Sequence, residues 1–253
     1  MSSVPRFHCA GTLAVGQTVS LAPGVARHVQ VLRLQPGDAI CLFNGSAGAA
    51  AGTVCGEYDA SILSMGRQDV QVSVIGHRST EREAERAIHL VIGMPANERM
   101  DWLVEKATEL GVTSIQPLMT ERSVVRLSEE RARRRTEHWT GIAIAACEQC
   151  GRNQVPVVWA ASGLAQWANT LPPGAVGDGR FVLSLQTGST PLRRLIAGLD
   201  FKPRAVTLLV GPEGGLSATE EATVISLGFA PVSLGTRVLR SETAALAGLT
   251  LLG

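Results

Sequence analysis

The chain has 253 residues, a formal net charge of +1 and 45% hydrophobic residues. This hydrophobic content is enough for a folded core. The nearly balanced charge excludes binding of nucleic acid through the overall field, so any such binding needs local basic patches. Aromatic residues make up only 4%, which leaves few stacking platforms for single-stranded RNA.

Cysteine usage and hydropathy indicate the compartment. The sequence has five cysteines with no signal peptide before them, and the one close pair, Cys147 and Cys150, has no second pair to complete a zinc site. No run of about 18 apolar residues occurs. We therefore expect reduced cysteines, no metal, no transmembrane helix and a soluble cytoplasmic protein.

Residues 1–75 have the pattern of a small β-barrel domain, with short β-rich segments separated by turn signals. The predicted strands are 12–21, 38–43, 50–54, 61–65 and 70–75, and one short helix is predicted at 28–34. The mixed charge of 76–87 predicts an exposed linker.

From residue 88 the pattern changes to alternating strands and helices, which predicts an α/β domain with a mainly parallel sheet over 76–253. The predicted strands are 88–94, 114–119, 155–160, 181–185, 205–210 and 231–234. The predicted helices are 99–110, 128–150, 164–171, 192–199 and a short final helix from about Thr243. General topology rules predict an unknotted chain.

Two glycine-bearing loops lie between predicted strands and helices, where open α/β sheets bind ligands. In the first, Gly211, Gly214 and Gly215 allow positive φ and close approach of a ligand to the backbone. Pro212 lacks an N–H, and neither a Walker pattern nor Gly-x-Gly-x-x-Gly is present, so a flat, phosphate-poor ligand fits better than a nucleotide phosphate. A glycine-rich turn without a ligand is the alternative.

Several long stretches together resemble a known family. They are 28–38, 99–111, 120–123, 148–152, 210–217 and 234–244. The sequence resembles the SPOUT class of knotted S-adenosylmethionine methyltransferases and, within it, the 16S ribosomal RNA uridine-N3 methyltransferases. It departs from the family pattern at Cys150, where Ser is expected, and at Thr236, where Pro is expected. Neither departure removes a charged group.

The resemblance implies a PUA-like RNA-binding β-barrel followed by an α/β trefoil knot, with S-adenosylmethionine as cofactor. It also implies 16S ribosomal RNA of the small subunit as substrate and a homodimer packed through the knotted domains. The cofactor is expected across the three loops 185–188, 210–215 and 234–239, which follow predicted strands. The expected cofactor-binding residues are Leu185, Gln186, Thr187, Gly188, Val210, Gly211, Pro212, Glu213, Gly214, Gly215, Leu234, Gly235, Val238, Leu239, Arg240, Thr243 and Ala244.

Methylation of uridine N3 requires removal of its proton, and a fixed cation near the resulting charge stabilises the transition state. Arg240 is the first candidate for that cation and Arg237 the second. Glu242 or Glu213 is a candidate to accept the proton or to hold Arg240 in place. The candidate RNA contacts are Arg6, Arg27, Arg33, Arg122, Arg126, Arg152 and Arg237. Each of them is also compatible with an ordinary solvated side chain.

Other functions remain open on the residues alone. A ribose 2′-O methyltransferase on the same scaffold is the alternative within the class. A non-catalytic RNA-binding protein is a second class, which the intact glycine loop and Arg240 disfavour. A nucleotide hydrolase is disfavoured because a phosphate-loop lysine and metal carboxylates are absent.

Overall fold

The computed structural model describes residues 4–45, 55–67, 69–171, 178–198 and 203–253. The chain divides into two compact units. Met1–Glu83 and Ile144–Val155 form the first, and Ala84–Ala143 and Pro156–Gly253 form the second. The first unit is therefore discontinuous in sequence, because it includes the end of a helix that begins in the second.

The first unit contains one five-stranded sheet and one helix. The strands are β1 (Arg6–His8), β2 (Thr18–Ser20), β3 (Ala39–Phe43), β4 (Glu57–Met65) and β5 (Val70–Arg78), and the helix is α1 (Pro23–Val31). The strands lie in the order β1-β3-β4-β5-β2, with β1 parallel to β3 and the other pairs antiparallel. Alternate residues of β4 and β5 are buried, which places one face of the sheet on a core with Phe7, Val29 and Leu42.

Several predicted elements of this unit differ from the structure. The helix begins at Pro23, five residues before the prediction, because proline fits the first helical position, where its missing N–H is not needed. The chain leaves the helix through Arg33, whose φ of 58° is left-handed. Strand β1 was not predicted, and the predicted strand 50–54 lies outside the described residues. Strand β5 continues to Arg78, so the expected boundary after residue 75 falls inside a strand.

The second unit is an α/β domain. Its strands are β6 (Ala87–Gly93), β7 (Ser114–Met119), β8 (Val157–Val158), β9 (Ser162–Gly163), β10 (Gly179–Leu183), β11 (Thr190–Pro191), β12 (Ala205–Val210) and β13 (Ala230–Ser233). Its helices are α2 (Asn97–Glu109), α3 (Glu129–Cys150), α4 (Leu164–Ala168), α5 (Leu192–Ala197), α6 (Ala218–Ser226) and α7 (Ser241–Leu252), and the last residues of α3 belong to the first unit.

The sheet of this unit is parallel throughout, as the alternation of strands and helices predicts. Its order is β11-β13-β10-β12-β6-β7-β8, with β9 also paired to β7. Strands β13, β10 and β12 are therefore neighbours, although helices separate them in sequence. The carboxyl ends of parallel strands lie at the same edge of a sheet. The three loops that follow these strands consequently meet there.

Residues at the ends of the helices explain several boundaries. Ser217 and Glu220 form a complete capping box at the start of α6. Gly111 and Gly151 follow α2 and α3 with positive φ, as expected for C-caps. The final helix begins at Ser241, two residues before the prediction, and Gly248 lets it approach the sheet, since a Cβ there would lie 2.5 Å from Leu208. No helix in the described ranges is long and apolar enough to cross a membrane.

Candidate active site

A pocket of about 610 Å³ lies at the carboxyl edge of β10, β12 and β13 in the second unit. The loops after these strands and the first turn of α7 form its walls. The lining residues are Leu183, Ser184, Leu185, Gln186, Ser189, Val210, Gly211, Pro212, Glu213, Gly215, Leu216, Val232, Ser233, Leu234, Gly235, Thr236, Arg237, Val238, Leu239, Arg240, Ser241 and Ala244. Aliphatic side chains and backbone dominate this lining, a composition typical of small-molecule sites.

Most of the residues predicted from the sequence to bind a cofactor lie on this pocket. The exceptions are Thr187, Gly188, Gly214, Thr243 and the candidate base Glu242, which are absent from its lining. The serines at 184, 189, 233 and 241 also line the pocket and were not predicted from the sequence. Each lies one residue beyond a loop that had been singled out, or at the start of the helix that follows it, so slightly wider loop boundaries would have included them.

In the first of the three loops, which follows β10, two serines form hydrogen bonds with the backbone of the loop. The Gln186 backbone N–H donates to the Ser184 hydroxyl over 3.0 Å, and the Ser189 hydroxyl donates to the Gln186 carbonyl over 2.9 Å. Gly188 takes a φ of 97° in the turn between them. The turn explains why Leu185 and Gln186 line the pocket whereas the two residues after them do not.

The three glycines of the second loop have different roles, which corrects one expectation. Gly215, with φ of 68°, is the residue that needs a left-handed conformation, and its N–H closes a turn to the Pro212 carbonyl at 2.8 Å. A Cβ on Gly211 would lie 2.9 Å from the backbone nitrogen of Leu216. Gly214 has no positive φ and packs against Arg122, which donates to its carbonyl over 2.9 Å. Gly214 therefore packs against Arg122 and does not line the pocket.

Two arginines bring positive charge to the pocket. Arg237 and Arg240 both line it, and both side chains are exposed. Neither has a hydrogen bond or ion pair to any residue in the described part of the chain. Arg240 is also the N-cap residue of α7, with φ of −62° and ψ of 152°. Its guanidinium is thus free to meet a ligand that carries or develops negative charge.

The two candidate carboxylates do not contact Arg240, contrary to one of the expected arrangements. Glu213 pairs with Arg99 at 3.2 Å, and Glu242, which is 7% exposed, lies 3.8 Å from the same guanidinium. Arg99 is on α2 and was not among the residues predicted to form the site. Arg99 lies in one of the stretches that carry the resemblance. The sequence spacing does not show, however, that its side chain reaches residues of two other elements.

Of the predicted RNA contacts, Arg152 is buried and Arg6 is partly buried in the first unit. Arg6 forms an ion pair with Glu57 and donates to Asn153 over 2.9 Å, and Arg152 is 4% exposed and paired with Glu83. Both guanidiniums are paired with carboxylates of the same unit, which disfavours the predicted contacts of Arg6 and Arg152 with RNA. By contrast, the side chains of Arg27, Arg33, Arg122 and Arg126 are exposed.

The cysteines and carboxylates form no metal centre within the described ranges. All five cysteines are free thiols. Cys147 is fully buried, and its burial raises the pKa of the thiol to about 12, so the thiol stays protonated.

Comparison with known proteins identifies the family. The RNA methyltransferase domain family matches residues 82–253, and the RNA methyltransferase PUA domain family matches residues 22–54. A solved ribosomal RNA small subunit methyltransferase E from Neisseria gonorrhoeae, bound to S-adenosyl methionine, is 34% identical with a TM-score of 0.87, over 98% of this chain and 96% of that one. The chain belongs to the ribosomal RNA small subunit methyltransferase E family.

Other relatives agree with this family. A Legionella pneumophila protein solved in complex with the cofactor SAM is 35% identical with a TM-score of 0.88, over 99% of this chain and 97% of that one. The methyltransferase E of Bacillus subtilis is 29% identical over 88% of this chain and 84% of its own length. As a member of the methyltransferase E family, the protein is an enzyme with a PUA-like β-barrel before a SPOUT α/β-knot domain, which confirms the fold that the resemblance implied.

Proposed function

We propose that the protein transfers a methyl group from S-adenosylmethionine to N3 of a uridine in 16S ribosomal RNA of the small subunit. The observation that carries this proposal is the pocket at the edge of the parallel sheet, which combines an apolar, backbone-rich wall with the cation of Arg240, unpaired among the described residues. The names of the family members and the cofactor in the neisserial relative support the substrate and the methyl donor.

The pocket residues fit S-adenosylmethionine. The volume of about 610 Å³ is in the range of small-molecule sites, roughly 300–1,000 Å³. Leu183, Val232 and Leu239 supply an apolar slot for an adenine ring, and the backbone at Gly211 and Gly235 can be approached closely. Bound there, the cofactor would supply an electrophilic methyl group. The open rim near Arg237 and Arg240 leaves space for the accepting base.

Arg240 is the residue that we propose to act on the substrate. Loss of the N3 proton places negative charge on the uracil ring, spread over O2 and O4. A guanidinium beside the ring would stabilise that charge, and its planar fork can reach two oxygens. Glu213 and Glu242 are both held by Arg99, which favours a role in holding the site over that of a mobile base.

The exposed arginines are the candidates for contacts with the RNA backbone. We propose Arg27 and Arg33 in the first unit and Arg122, Arg126 and Arg237 in the second. Arg122 is of particular interest, since it contacts the loop that forms one wall of the pocket. Phosphate contacts would make the affinity for RNA decrease with rising salt.

The proposal is tested by nucleoside mass spectrometry. Ribosomal RNA from a deletion strain should lack 3-methyluridine at one position, and the purified protein with S-adenosylmethionine should restore it. Appearance of a 2′-O-methylated nucleoside would overturn base methylation in favour of the ribose. Absence of any methylated product on free RNA and on assembled small subunits would overturn the proposal as a whole.

We also propose that the protein is a homodimer, as the family resemblance implies. Helix α7 offers little apolar surface for such an interface, because Ala245, Leu249 and Leu252 are buried within the chain. Exposed apolar side chains at Trp102 and Val238 remain candidates for the interface. Sedimentation of the full chain at micromolar concentration should give a dimer, and a monomer under these conditions would contradict it.

A further inference from the structure

Arg99 lies in the first turn of α2, a helix that contributes no residue to the lining of the pocket. Its guanidinium nevertheless reaches two walls of that pocket. Nη1 donates to Oε1 of Glu213 over 3.2 Å, and Nε lies 3.8 Å from Oε1 of Glu242. One side chain therefore joins the loop after β12 to the first turn of α7.

The contact with Glu213 is reinforced by the start of α2. Ala96 is the N-cap residue of this helix and has no side-chain cap, which leaves backbone N–H groups in need of acceptors. The Ala96 N–H donates to Oε1 of Glu213 over 3.3 Å. A carboxylate at a helix N-terminus is also favoured by the helix dipole. The loop after β12 is thus fixed to α2 through two donors on one oxygen.

The contact with Glu242 fixes the other wall. The Glu242 side chain is 9% exposed, and a carboxylate buried to that degree is strongly destabilising without a cation. Arg99 is its one ion-pair partner within the described ranges. Glu242 lies in the first turn of α7, two residues after Arg240, which is the N-cap residue of that helix. The position of Arg240 relative to the cofactor loop therefore depends on Arg99.

We infer that Arg99 is a positioning residue for methyl transfer, which sets the distance between the cofactor loop at 211–215 and the Arg240 guanidinium. This inference rests on the proposed function for its consequence in catalysis. The charge of Arg99 lies between two carboxylates that would otherwise repel each other. Without it, both walls lose their common anchor.

Activity provides the first test. Arg99→Ala should lower turnover by about 10- to 100-fold, since small displacements of a catalytic group have effects of this size. In an Arg240→Ala background the same change should lower turnover further by less than about 3-fold, because coupled residues are not additive. Arg99→Lys should recover part of the loss, as an ammonium keeps the charge but does not span both carboxylates. Arg193→Ala, an exposed arginine on α5, is the matched control.

If the fold losses in turnover of Arg99→Ala and Arg240→Ala multiply in the double variant, the inference is overturned. Wild-type turnover in Arg99→Ala would overturn it as well. If Arg99→Ala does not fold, Glu213→Gln removes one half of the bridge at a half-exposed side chain and should give the same non-additivity with Arg240→Ala.

Amide hydrogen exchange separates this inference from the proposed function, because it needs no substrate. Exchange in 211–216 and in 240–244 should accelerate together in Arg99→Ala and remain unchanged in Arg193→Ala. Acceleration in one segment only, or in neither, would overturn the inference even if the protein methylates RNA. A wild-type protein without methylation activity would overturn the proposed function but leave this coupling intact.

Discussion

Arg240 is an exposed cation on the pocket with no partner in the described part of the chain, and this isolation makes a specific prediction. Because its proposed partner is charge that develops in the transition state, Arg240→Ala should lower turnover by about 100-fold or more, while the affinity for S-adenosylmethionine changes little. Methylation of small subunits, measured beside calorimetric titration of the cofactor, checks this. Arg240→Lys should restore little of the activity, since an ammonium does not bridge two oxygens.

Two results would contradict this role of Arg240. Near-wild-type methylation by Arg240→Ala would remove it from the mechanism. Equal losses of methylation and of cofactor affinity would make it part of the cofactor site and would leave the stabiliser of the uridine anion unidentified.

Glu57 is the most enclosed carboxylate of the first unit, at 2% exposure, and it contacts Arg6, Arg78 and Arg82. Burial opposes its ionisation, but a hydrogen bond from Arg82 and the charges of the three arginines together outweigh burial and lower its pKa below 4.5. A carboxyl group with a depressed pKa in the folded state contributes stability at pH values above its unfolded pKa, and this contribution is lost as the pH falls.

The free energy of unfolding of the wild type should therefore decrease as the pH drops below 4.5. Glu57→Gln should lower stability by about 3 kcal/mol near neutral pH, because it leaves the mostly buried Arg6 without its carboxylate, and should flatten the acid dependence. Asp59→Asn, on the half-exposed partner of Arg78, should cost less than about 1 kcal/mol. Denaturant titrations across this pH range give the answer, and parallel pH profiles for the wild type and Glu57→Gln would contradict it.

Single residues also show which contacts could not be predicted from the sequence. Arg240 could be singled out as a candidate because it stands in a long run that resembles a known family. Arg6 and Arg152 were expected to contact RNA, since most arginines are exposed, and no local pattern reveals that Glu57 and Glu83 draw them inside. The ion pairs of Arg99 could not be predicted for the same reason, because its two partners lie more than a hundred residues away in sequence.

At the scale of elements, α7 closes one side of the pocket through Ala244. Ala244→Leu should fill part of the pocket and weaken binding of S-adenosylmethionine by at least about 10-fold, while the helix tolerates leucine well. Thr243→Leu, at the exposed neighbouring position outside the lining, is the matched control and should bind as the wild type does. Calorimetry distinguishes the two variants. Unchanged affinity in Ala244→Leu would exclude the first turn of α7 from the cofactor site.

The elements themselves were predictable to different degrees. Strands such as β12 were evident from continuous apolar, β-branched runs, because they are buried on both faces of a parallel sheet. The neighbours of a strand were not, since parallel strands are joined by long crossovers and sequence order does not give spatial order. The meeting of β10, β12 and β13, which creates the pocket, therefore became known only from the structure.

At the scale of the whole molecule, the first unit depends on the end of α3. The Glu148 carboxylate accepts the His8 backbone N–H over 3.0 Å, and Arg6 donates to Asn153 over 2.9 Å. The predicted domain boundary after residue 75 did not include the end of α3 in the first unit. The sequence of α3 is one continuous helical pattern, and no change in composition marks where the helix passes from one unit to the other.

A fragment that begins at residue 84 should therefore expose a surface that is buried in the full chain. Cys147 reports on it: in the full chain the thiol is buried and its pKa is raised to about 12, so it should react very slowly with iodoacetamide. In the fragment its alkylation should be at least about 10-fold faster, as an exposed thiol has a larger thiolate fraction. Mass spectrometry with Cys150 as internal reference measures this, and equal protection of Cys147 in both proteins would contradict it.

The discontinuity of the first unit also has a consequence for biosynthesis. Its first 83 residues leave the ribosome before the segment Ile144–Val155 that completes it, and residues 84–143 are translated in between. At bacterial elongation rates this interval lasts roughly 3 to 12 seconds. Throughout this interval the nascent barrel lacks Glu148, which accepts from His8, and Asn153, which accepts from Arg6. The amino-terminal unit therefore begins synthesis first, but it cannot fold completely until residues 84–143 of the second unit and the segment Ile144–Val155 have been translated.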